Sequence, residues 1–90
     1  MAAQANAEGL ALYHYRGCPF CDRVHAALAR LGVEIALCDI LADHERYNEL
    51  VAATGRQTVP CLRIEEEGGE VRWLHESADI IRWLEQRFAA

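Results

Sequence analysis

The apolar positions in the first half of the chain change from a period of two to a period of three to four, and then back. The alternating stretch LALYHY at residues 10–15 predicts a strand. From Pro19 onwards, apolar residues recur at three- and four-residue spacing, which predicts an amphipathic helix that Gly32 ends. VEIALCDI at residues 33–40 predicts a second strand. Because a helix joins these two strands, we expect a right-handed parallel crossover.

The next part of the pattern predicts a second helix followed by a hairpin. Asp43 is a suitable N-cap for a helix at residues 44–54. Two short segments at residues 61–67 and 70–75 predict strands, and Gly68-Gly69 between them predicts the turn of an antiparallel hairpin.

A last amphipathic helix begins near Glu76-Ser77, with an apolar stripe at Ile80, Ile81, Leu84 and Phe88. The order of elements is therefore βαβ, a helix, and then ββα. It predicts the α/β class, with a four-stranded mixed sheet and helices on both faces. We assign residues 10–90 to this single domain and residues 1–9 to a disordered N-terminal tail.

Composition and charge narrow the function classes. The chain has 90 residues and a net charge of −5, and all of its basic residues are arginines without any basic stripe, so nucleic acid is not an expected partner. No apolar run approaches the roughly 20 residues that a membrane-spanning helix needs. The first residues lack the features of a secretory signal. We therefore expect a cytoplasmic protein that makes no membrane contact and keeps its cysteines reduced.

The stretch GCPFCDRVHAAL at residues 17–28 carries the candidate chemistry. Cys18 lies at the predicted helix N-terminus, where unpaired N–H groups and the helix dipole favour the anionic form of a thiol. Cys21 lies one turn further, within disulfide reach. We predict that Cys18 is the more exposed thiol and attacks, and that Cys21 resolves the mixed disulfide. Phe20 flanks the pair, and Arg16 offers a positive charge.

Other roles for the cysteines are less well supported. A structural zinc site needs four ligands, and the sequence has neither a second C-x-x-C nor a paired histidine motif, so we expect no metal. Packing alone does not explain a cysteine pair beside Pro19. For Cys38 and Cys61, core packing is the default interpretation because buried cysteine behaves as a small apolar residue. An outward-pointing Cys61 would instead be a candidate third redox thiol.

Three motifs in the chain resemble those of a known family. They are CPFC at residues 18–21, TVP at residues 58–60 and ESADI at residues 76–80. Together they resemble the glutaredoxins and the related N-terminal domain of glutathione transferases. LYHYRGCPFC also resembles the glutaredoxin-like domain of the membrane-associated prostaglandin E synthase type 2 group. The resemblance spans Leu10 to Phe88 and implies a thioredoxin fold with glutathione as co-substrate.

The resemblance also implies a binding site for glutathione. It implies a cis peptide bond before Pro60 and an exposed Val59 backbone that pairs with the cysteinyl part of glutathione, as an added strand does. It implies that Ser77, at a helix N-terminus, takes the γ-glutamyl carboxylate and that Glu76 pairs with the amino group. Simple capping of the helix is the alternative role for both residues.

The remaining contacts to glutathione are assigned by residue type. Arg16 and Gln57 are the candidates for binding the glycine carboxylate, with Arg56 a weaker one, because an arginine fork matches a carboxylate. Phe20 supplies an apolar contact but lacks the hydroxyl of the tyrosine that glutaredoxins usually carry there. The sequence LHES also replaces the glycine pair that precedes the last helix in typical glutaredoxins.

These observations predict a monomeric, glutaredoxin-like thiol–disulfide oxidoreductase that reduces glutathionylated or disulfide-bonded proteins. The chain ends at Ala90 without the helical domain of a transferase, which favours an oxidoreductase. Two alternatives stay open, namely a glutathione-binding interaction module without redox turnover and a [2Fe–2S] cluster carrier. The protein substrate is left open, as is the choice between glutathione and a thioredoxin-reductase-type enzyme as reductant.

Overall fold

The computed structural model describes residues 5–88. Four strands form one sheet in the order β2-β1-β3-β4, with β1 at Ala5–His14, β2 at Val33–Asp39, β3 at Cys61–Glu65 and β4 at Val71–His75. β2 runs parallel to β1, whereas β3 is antiparallel to both β1 and β4. This mixed four-stranded sheet confirms the predicted thioredoxin fold.

Strand β1 begins earlier than its alternating pattern predicts. Pairing with β2 starts at Ala5, and the register shifts between Asn6 and Ala11. Residues 5–9 therefore belong to the strand and not to the predicted disordered tail, while residues 1–4 of that tail lie outside the described part of the chain. The pattern misses this extension because Gly9 and the register shift interrupt the alternation of side chains.

Gly9 is required by the geometry of this irregular segment. Its φ is +84°, and a Cβ at this position would lie 2.9 Å from the Glu65 carbonyl oxygen. We predict that Gly9→Ala lowers the free energy of unfolding by about 1–3 kcal/mol, because it adds backbone strain and a steric clash. Urea denaturation measures this change. Gly68→Ala is the matched control, since a Cβ there meets nothing within 4 Å, and equal losses in both variants would contradict the argument.

The three helices cover both faces of the sheet. α1 at Pro19–Leu31 and α3 at Ser77–Phe88 pack on one face, and α2 at His44–Thr54 packs on the other. Asp43 caps α2 and Gly32 ends α1, as the sequence predicts, and Gly55 ends α2; both glycines have the left-handed conformation. None of the helices within residues 5–88 is long and apolar enough to span a membrane.

Alternating residues of the central strands divide the interior into two cores. The core under α1 and α3 contains Leu10, Leu12, Val24, Leu28, Val33, Leu62, Ile64, Ile80 and Leu84. The smaller core under α2 contains Tyr13, Ile40, Leu50 and Cys61. Because the hydrophobic effect acts through buried apolar area, these two layers fix the helices on the sheet.

One edge of the sheet collects the three motifs of the sequence. Tyr13, near the end of β1, pairs with Cys61 at the start of β3, and Cys61 pairs with His75 at the end of β4. The segments that follow β1, precede β3 and follow β4 therefore meet at this edge. They carry Cys18, Pro60 and Ser77, respectively.

Candidate active site

Cys18 is the N-cap residue of α1. Its Sγ accepts a hydrogen bond from the Cys21 backbone N–H at 3.3 Å, and its carbonyl oxygen accepts one from the Asp22 N–H at 2.9 Å. Pro19 occupies the first turn, where a backbone N–H would otherwise lack a partner in the helix. A backbone donor and the positive end of the helix dipole thus act together on the sulfur, and both stabilise negative charge there.

Cys21 lies one turn into the helix and is fully buried, with 0% of its surface exposed. Burial, reinforced by the hydrogen-bonded neighbour Cys18, raises the pKa of the Cys21 thiol to about 12. A thiol with such a pKa stays protonated at neutral pH and is a poor attacking group. Cys21 is therefore a buried, protonated thiol next to Cys18.

Cys18 is the more exposed of the two thiols, as predicted, but the margin is small. Only 3% of its surface is exposed, against 0% for Cys21. The reason for this low exposure is the N-cap bond, which turns the sulfur towards the first turn of α1 rather than outwards.

A groove of about 390 Å³ lies at this edge of the sheet, between α1, the loop before β3 and the start of α3. The predicted site residues that line it are Phe20, Val59, Pro60, Glu76 and Ser77. The Val59–Pro60 peptide bond is cis, as the resemblance implies. Phe20 is 55% exposed and forms part of one wall, with the guanidinium of Arg23 at 5.6 Å from its ring centre. The structure therefore brings together residues from all three motifs.

Glu76 and Ser77 begin α3 at the floor of the groove. Glu76 has a φ of 74°, and its carbonyl oxygen accepts the Ile80 N–H at 3.0 Å. The left-handed conformation is strained for a residue with a side chain, and such strain is concentrated at functional sites. Ser77 is buried as the first residue of the helix, whose free N–H groups suit an anion. The Glu76 side chain is 71% exposed, and its carboxylate lies 3.9 Å from the Arg56 guanidinium.

Four predicted site residues do not line the groove, namely Cys18, Cys21, Arg16 and Gln57. Arg16 borders a separate depression formed with Asp39, Leu41 and Ala42. The backbone N–H groups of Ala42 and Leu41 lower the pKa of Asp39, and the Arg16 charge adds to this effect. The Gln57 side-chain oxygen accepts a hydrogen bond from the Tyr47 hydroxyl at 2.8 Å. Arg16 and Gln57 both lie in irregular segments, and spacing along the sequence does not show where a side chain in such a segment points.

Four residues that were not predicted as site residues also line the groove, namely Arg23, Thr58, His75 and Ala78. Arg23 follows Phe20 by three residues, so the helical period alone places both on one face of α1. Thr58 and Ala78 belong to the TVP and ESADI motifs, and His75 directly precedes Glu76. Membership of a motif, or proximity to one, was therefore the available signal for these three residues.

The other two cysteines differ from each other in burial. Cys61 is 0% exposed and belongs to the core under α2, as expected for a cysteine that packs. Cys38 is half-buried, and burial raises its pKa. In the described part of the chain, no group of three or more histidine, cysteine or acidic residues is arranged to hold a metal ion. A larger hollow of about 700 Å³ lies among Glu8, Trp83, Arg87 and their neighbours, and no cysteine lines it.

We predict that the free energy of unfolding falls at alkaline pH, because two thiols are fully buried. Burial raises the pKa of Cys21 and of Cys61 to about 12, whereas an unfolded thiol titrates near 8.5. The unfolded chain therefore releases protons that the folded chain keeps, and the free energy of unfolding falls from about pH 9 to about pH 12. The slope is about 1.4 kcal/mol per pH unit for each thiol.

Urea denaturation at pH 8, 9 and 10 under a reducing agent measures this slope. Cys61→Ala should reduce the slope by about 1.4 kcal/mol per pH unit, because Cys21 and Cys38 keep their raised pKa values. The Tyr13 hydroxyl, whose pKa is raised by burial and by its bond to Glu49, adds a further loss above pH 10. Stability that stays constant from pH 8 to pH 10 would show that these thiols are not shielded.

Comparisons with known proteins give consistent family matches. The family model described as "Glutathione S-transferase, N-terminal domain" matches residues 12–90. A trimeric glutathione transferase from Leishmania, TDR1, superposes with a TM-score of 0.73 and 28% identity over 89% of this chain and 18% of that chain. No curated protein matches the sequence significantly.

Two further solved structures have the same arrangement. Maleylacetoacetate isomerase from Anaeromyxobacter dehalogenans, with GSH bound in its active site, gives a TM-score of 0.68 and 30% identity over 88% of this chain and 37% of that chain. A glutathione transferase from Drosophila melanogaster gives 0.67 and 27% over 89% and 35%. This chain therefore spans between 18% and 37% of the length of these three structures.

Proposed function

Because the chain belongs to the family of glutathione S-transferase N-terminal domains, we propose that it binds glutathione in the groove beside Cys18 and acts as a glutathione-dependent thiol–disulfide oxidoreductase. The observation that carries this proposal is the cysteine pair. Cys18 Sγ lies at a helix N-terminus with a backbone N–H bonded to it, and a second, protonated thiol lies one turn away. A nucleophile and a resolving thiol in this order suit disulfide exchange.

The groove offers complementary groups to each end of glutathione. In this proposal the Val59 backbone, next to Pro60, pairs with the cysteinyl residue of glutathione. The N-terminus of α3 and Ser77 take the γ-glutamyl carboxylate, and the exposed Glu76 carboxylate takes the amino group. Phe20 packs against the apolar part of the ligand. Arg23, on the wall of the groove, provides a cation for a carboxylate.

Arg16 and Gln57 have a smaller place in this proposal. Neither lines the groove, and Gln57 is already bonded to Tyr47. They would contact glutathione only at the glycine end, where the ligand leaves the groove.

The proposed reaction is two successive disulfide exchanges. The Cys18 thiolate attacks the glutathionyl sulfur of a protein–glutathione mixed disulfide, and the protein thiolate leaves and takes up a proton. The thiolate of a second glutathione then attacks the Cys18–glutathione disulfide, releasing glutathione disulfide and the Cys18 thiolate. With a protein disulfide as substrate, Cys18 attacks first, and Cys21 then loses its proton and attacks the mixed disulfide on Cys18. The substrate leaves as a dithiol and a Cys18–Cys21 disulfide forms, which two molecules of glutathione reduce to the two thiols as they become glutathione disulfide.

Glutathione transfer to an electrophile is the second candidate function. It is favoured by the transferases and the isomerase among the similar structures, although the chain matches only part of their length. In that reaction the groove would hold glutathione while Cys18 contacts its sulfur, and Cys21 would have no chemical role. Because only the oxidoreductase reaction uses both cysteines, we prefer it to the transferase reaction.

The deciding experiment is steady-state turnover by the wild-type protein with two substrates. One is the mixed disulfide of glutathione with a cysteine-containing peptide, coupled to glutathione reductase, and the other is an aromatic halide that accepts glutathione. Turnover of the disulfide alone supports the oxidoreductase, and turnover of the halide alone supports the transferase. Failure with both, with thiols confirmed reduced, would overturn catalysis and leave a binding module. Visible absorbance after anaerobic purification would instead indicate the iron–sulfur cluster carrier.

The cellular compartment that we propose for the protein follows from the chemistry of this reaction. Disulfide reduction by glutathione needs a reducing compartment, and we place the protein in the cytoplasm. We propose that the chain acts as a monomer on glutathionylated or disulfide-bonded proteins.

A further inference from the structure

His75 connects the last strand to the segment that precedes Pro60. Its Nδ1 lies 3.5 Å from the Thr58 hydroxyl oxygen, and its Nε2 lies 3.6 Å from the Cys61 Sγ. Thr58 and Cys61 are the residues on either side of Val59-Pro60. One imidazole ring therefore contacts both residues that flank Val59-Pro60, and Val59 and Pro60 themselves line the groove.

The two contacts of His75 join it to residues that differ in how firmly the sheet holds them. Cys61 is the cross-strand partner of His75 in the β3–β4 ladder, and it is fully buried, so its position is already fixed by the sheet. Thr58 lies in the loop before β3, outside any strand, and its hydroxyl has no other side-chain bond among residues 5–88. The contact to Thr58 is thus the one that restrains a segment which the sheet leaves free.

The His75 ring is neutral, so it can hydrogen-bond to Thr58 and Cys61 through one donor and one acceptor nitrogen. Burial lowers its pKa, the nearby Arg56 guanidinium acts in the same direction, and the Glu76 carboxylate opposes them. The ring is therefore neutral at pH 7, with one nitrogen as donor and the other as acceptor. The Thr58 hydroxyl and the Cys61 thiol can each complement either tautomer.

We propose that His75 is a positioning residue that holds Thr58, and with it the Val59 backbone, at the distance from α3 that glutathione requires. This role rests on the proposed function, since it concerns the same groove. The contact between His75 Nδ1 and the Thr58 hydroxyl oxygen, at 3.5 Å, is at the long end of the hydrogen-bond range. Loss of the bridge should weaken binding of the glutathionyl group and leave the exchange at Cys18 unchanged.

Two near-isosteres of histidine separate the two contacts. The amide nitrogen of asparagine occupies the place of Nδ1, so His75→Asn keeps the contact to Thr58 and loses that to Cys61. The amide nitrogen of glutamine occupies the place of Nε2, so His75→Gln does the reverse. We expect His75→Gln and His75→Ala to raise KM for a glutathionylated peptide about five-fold, the factor that corresponds to one net hydrogen bond. His75→Asn should stay within about two-fold of wild type, and kcat should change little in all three variants.

Thr58→Val supplies the second half of the test. It removes the hydroxyl with little change of volume and should raise KM by the same factor as His75→Ala. In the double variant the two effects should not add, because both remove one contact. His44→Ala, on an exposed histidine that stacks on Tyr47 outside the groove, is the control and should leave KM and kcat unchanged.

The possible results distinguish this role from the proposed function. Three results would each overturn the role of His75 and leave the proposed activity in place. They are an equal KM in His75→Gln and His75→Asn, additive effects in the double variant, and an unchanged KM in His75→Ala. An equal loss in His75→Asn and His75→Ala would show a purely structural role and would also overturn it. Absence of turnover by the wild-type protein would overturn the proposed function, and this role with it.

Discussion

Cys18→Ser is expected to lower turnover of a glutathionylated peptide by more than about 1,000-fold, whereas Cys21→Ser should retain most of it. The serine hydroxyl is almost fully protonated at neutral pH and cannot replace the attacking thiolate, and removal of a nucleophile is among the largest single effects on an enzyme. Cys21 is fully buried and protonated, so deglutathionylation proceeds through Cys18 and a second glutathione without it. The glutathione-reductase-coupled assay measures both variants.

A different substrate should reverse the behaviour of the Cys21 variant. With a protein disulfide, Cys21→Ser should stop after the first attack and accumulate a mixed disulfide on Cys18, which intact-mass analysis detects. Cys38→Ser is the matched control, because Cys38 is a half-buried thiol that does not line the groove. Equal loss of deglutathionylation in the Cys18 and Cys21 variants would contradict the division of roles.

The helices and their ends were predictable because their signals are local. Asp43 before α2 and the glycines after α1 and α2 stop or start a helix by their own conformational preferences, whatever the rest of the chain does. The early start of β1 was not predictable, because pairing with β2 and the close approach of Gly9 to Glu65 are long-range contacts. The two hairpin strands were predicted at residues 61–67 and 70–75, but they span Cys61–Glu65 and Val71–His75. The prediction was too long because no residue directly after Glu65 gives a local signal that the strand ends there.

The groove was predictable where motifs lie at the ends of elements. Phe20, Pro60 and Ser77 are each fixed by a helix or strand terminus, and the fold brings those termini to one edge. Arg16 was misplaced because the loop after β1 turns its side chain towards Asp39 and away from the groove. The low exposure of Cys18 was also missed, since it depends on how the sulfur caps α1, and a sequence does not show that rotamer.

The missed residue His75 shows why a site is larger than its motifs. His75 forms part of a strand, and its alternation with Leu74 says only which face of the sheet it occupies. Its contact with Thr58 arises because β4 ends beside the loop that leads to β3, a consequence of strand order. Residues that support a motif from a neighbouring strand can be found only when the sheet is known.

The position of Ser77 depends on how α3 is anchored, and Ile80 is the nearest anchor. Ile80 lies one helical turn after Ser77, is 0% exposed and belongs to the core beneath α1 and α3. Ile80→Ala should lower the free energy of unfolding by about 2–5 kcal/mol, because it removes buried methyl groups and leaves a cavity. A domain of this size has a total stability near the lower end of about 5–15 kcal/mol, so the variant should be close to unfolding.

Urea denaturation monitored by tryptophan fluorescence or circular dichroism measures this effect. Ile81→Ala removes the same atoms from the same helix at a half-buried position, and it should cost clearly less. Below the urea concentration at which unfolding begins, Ile80→Ala should also raise KM for the glutathionylated peptide, because a loosened α3 moves the helix N-terminus that we propose binds the carboxylate. Equal losses of stability in the two variants would show that α3 is not held through Ile80. An unchanged KM in folded Ile80→Ala would show that the position of Ser77 is set by β4 and the Glu76 turn instead.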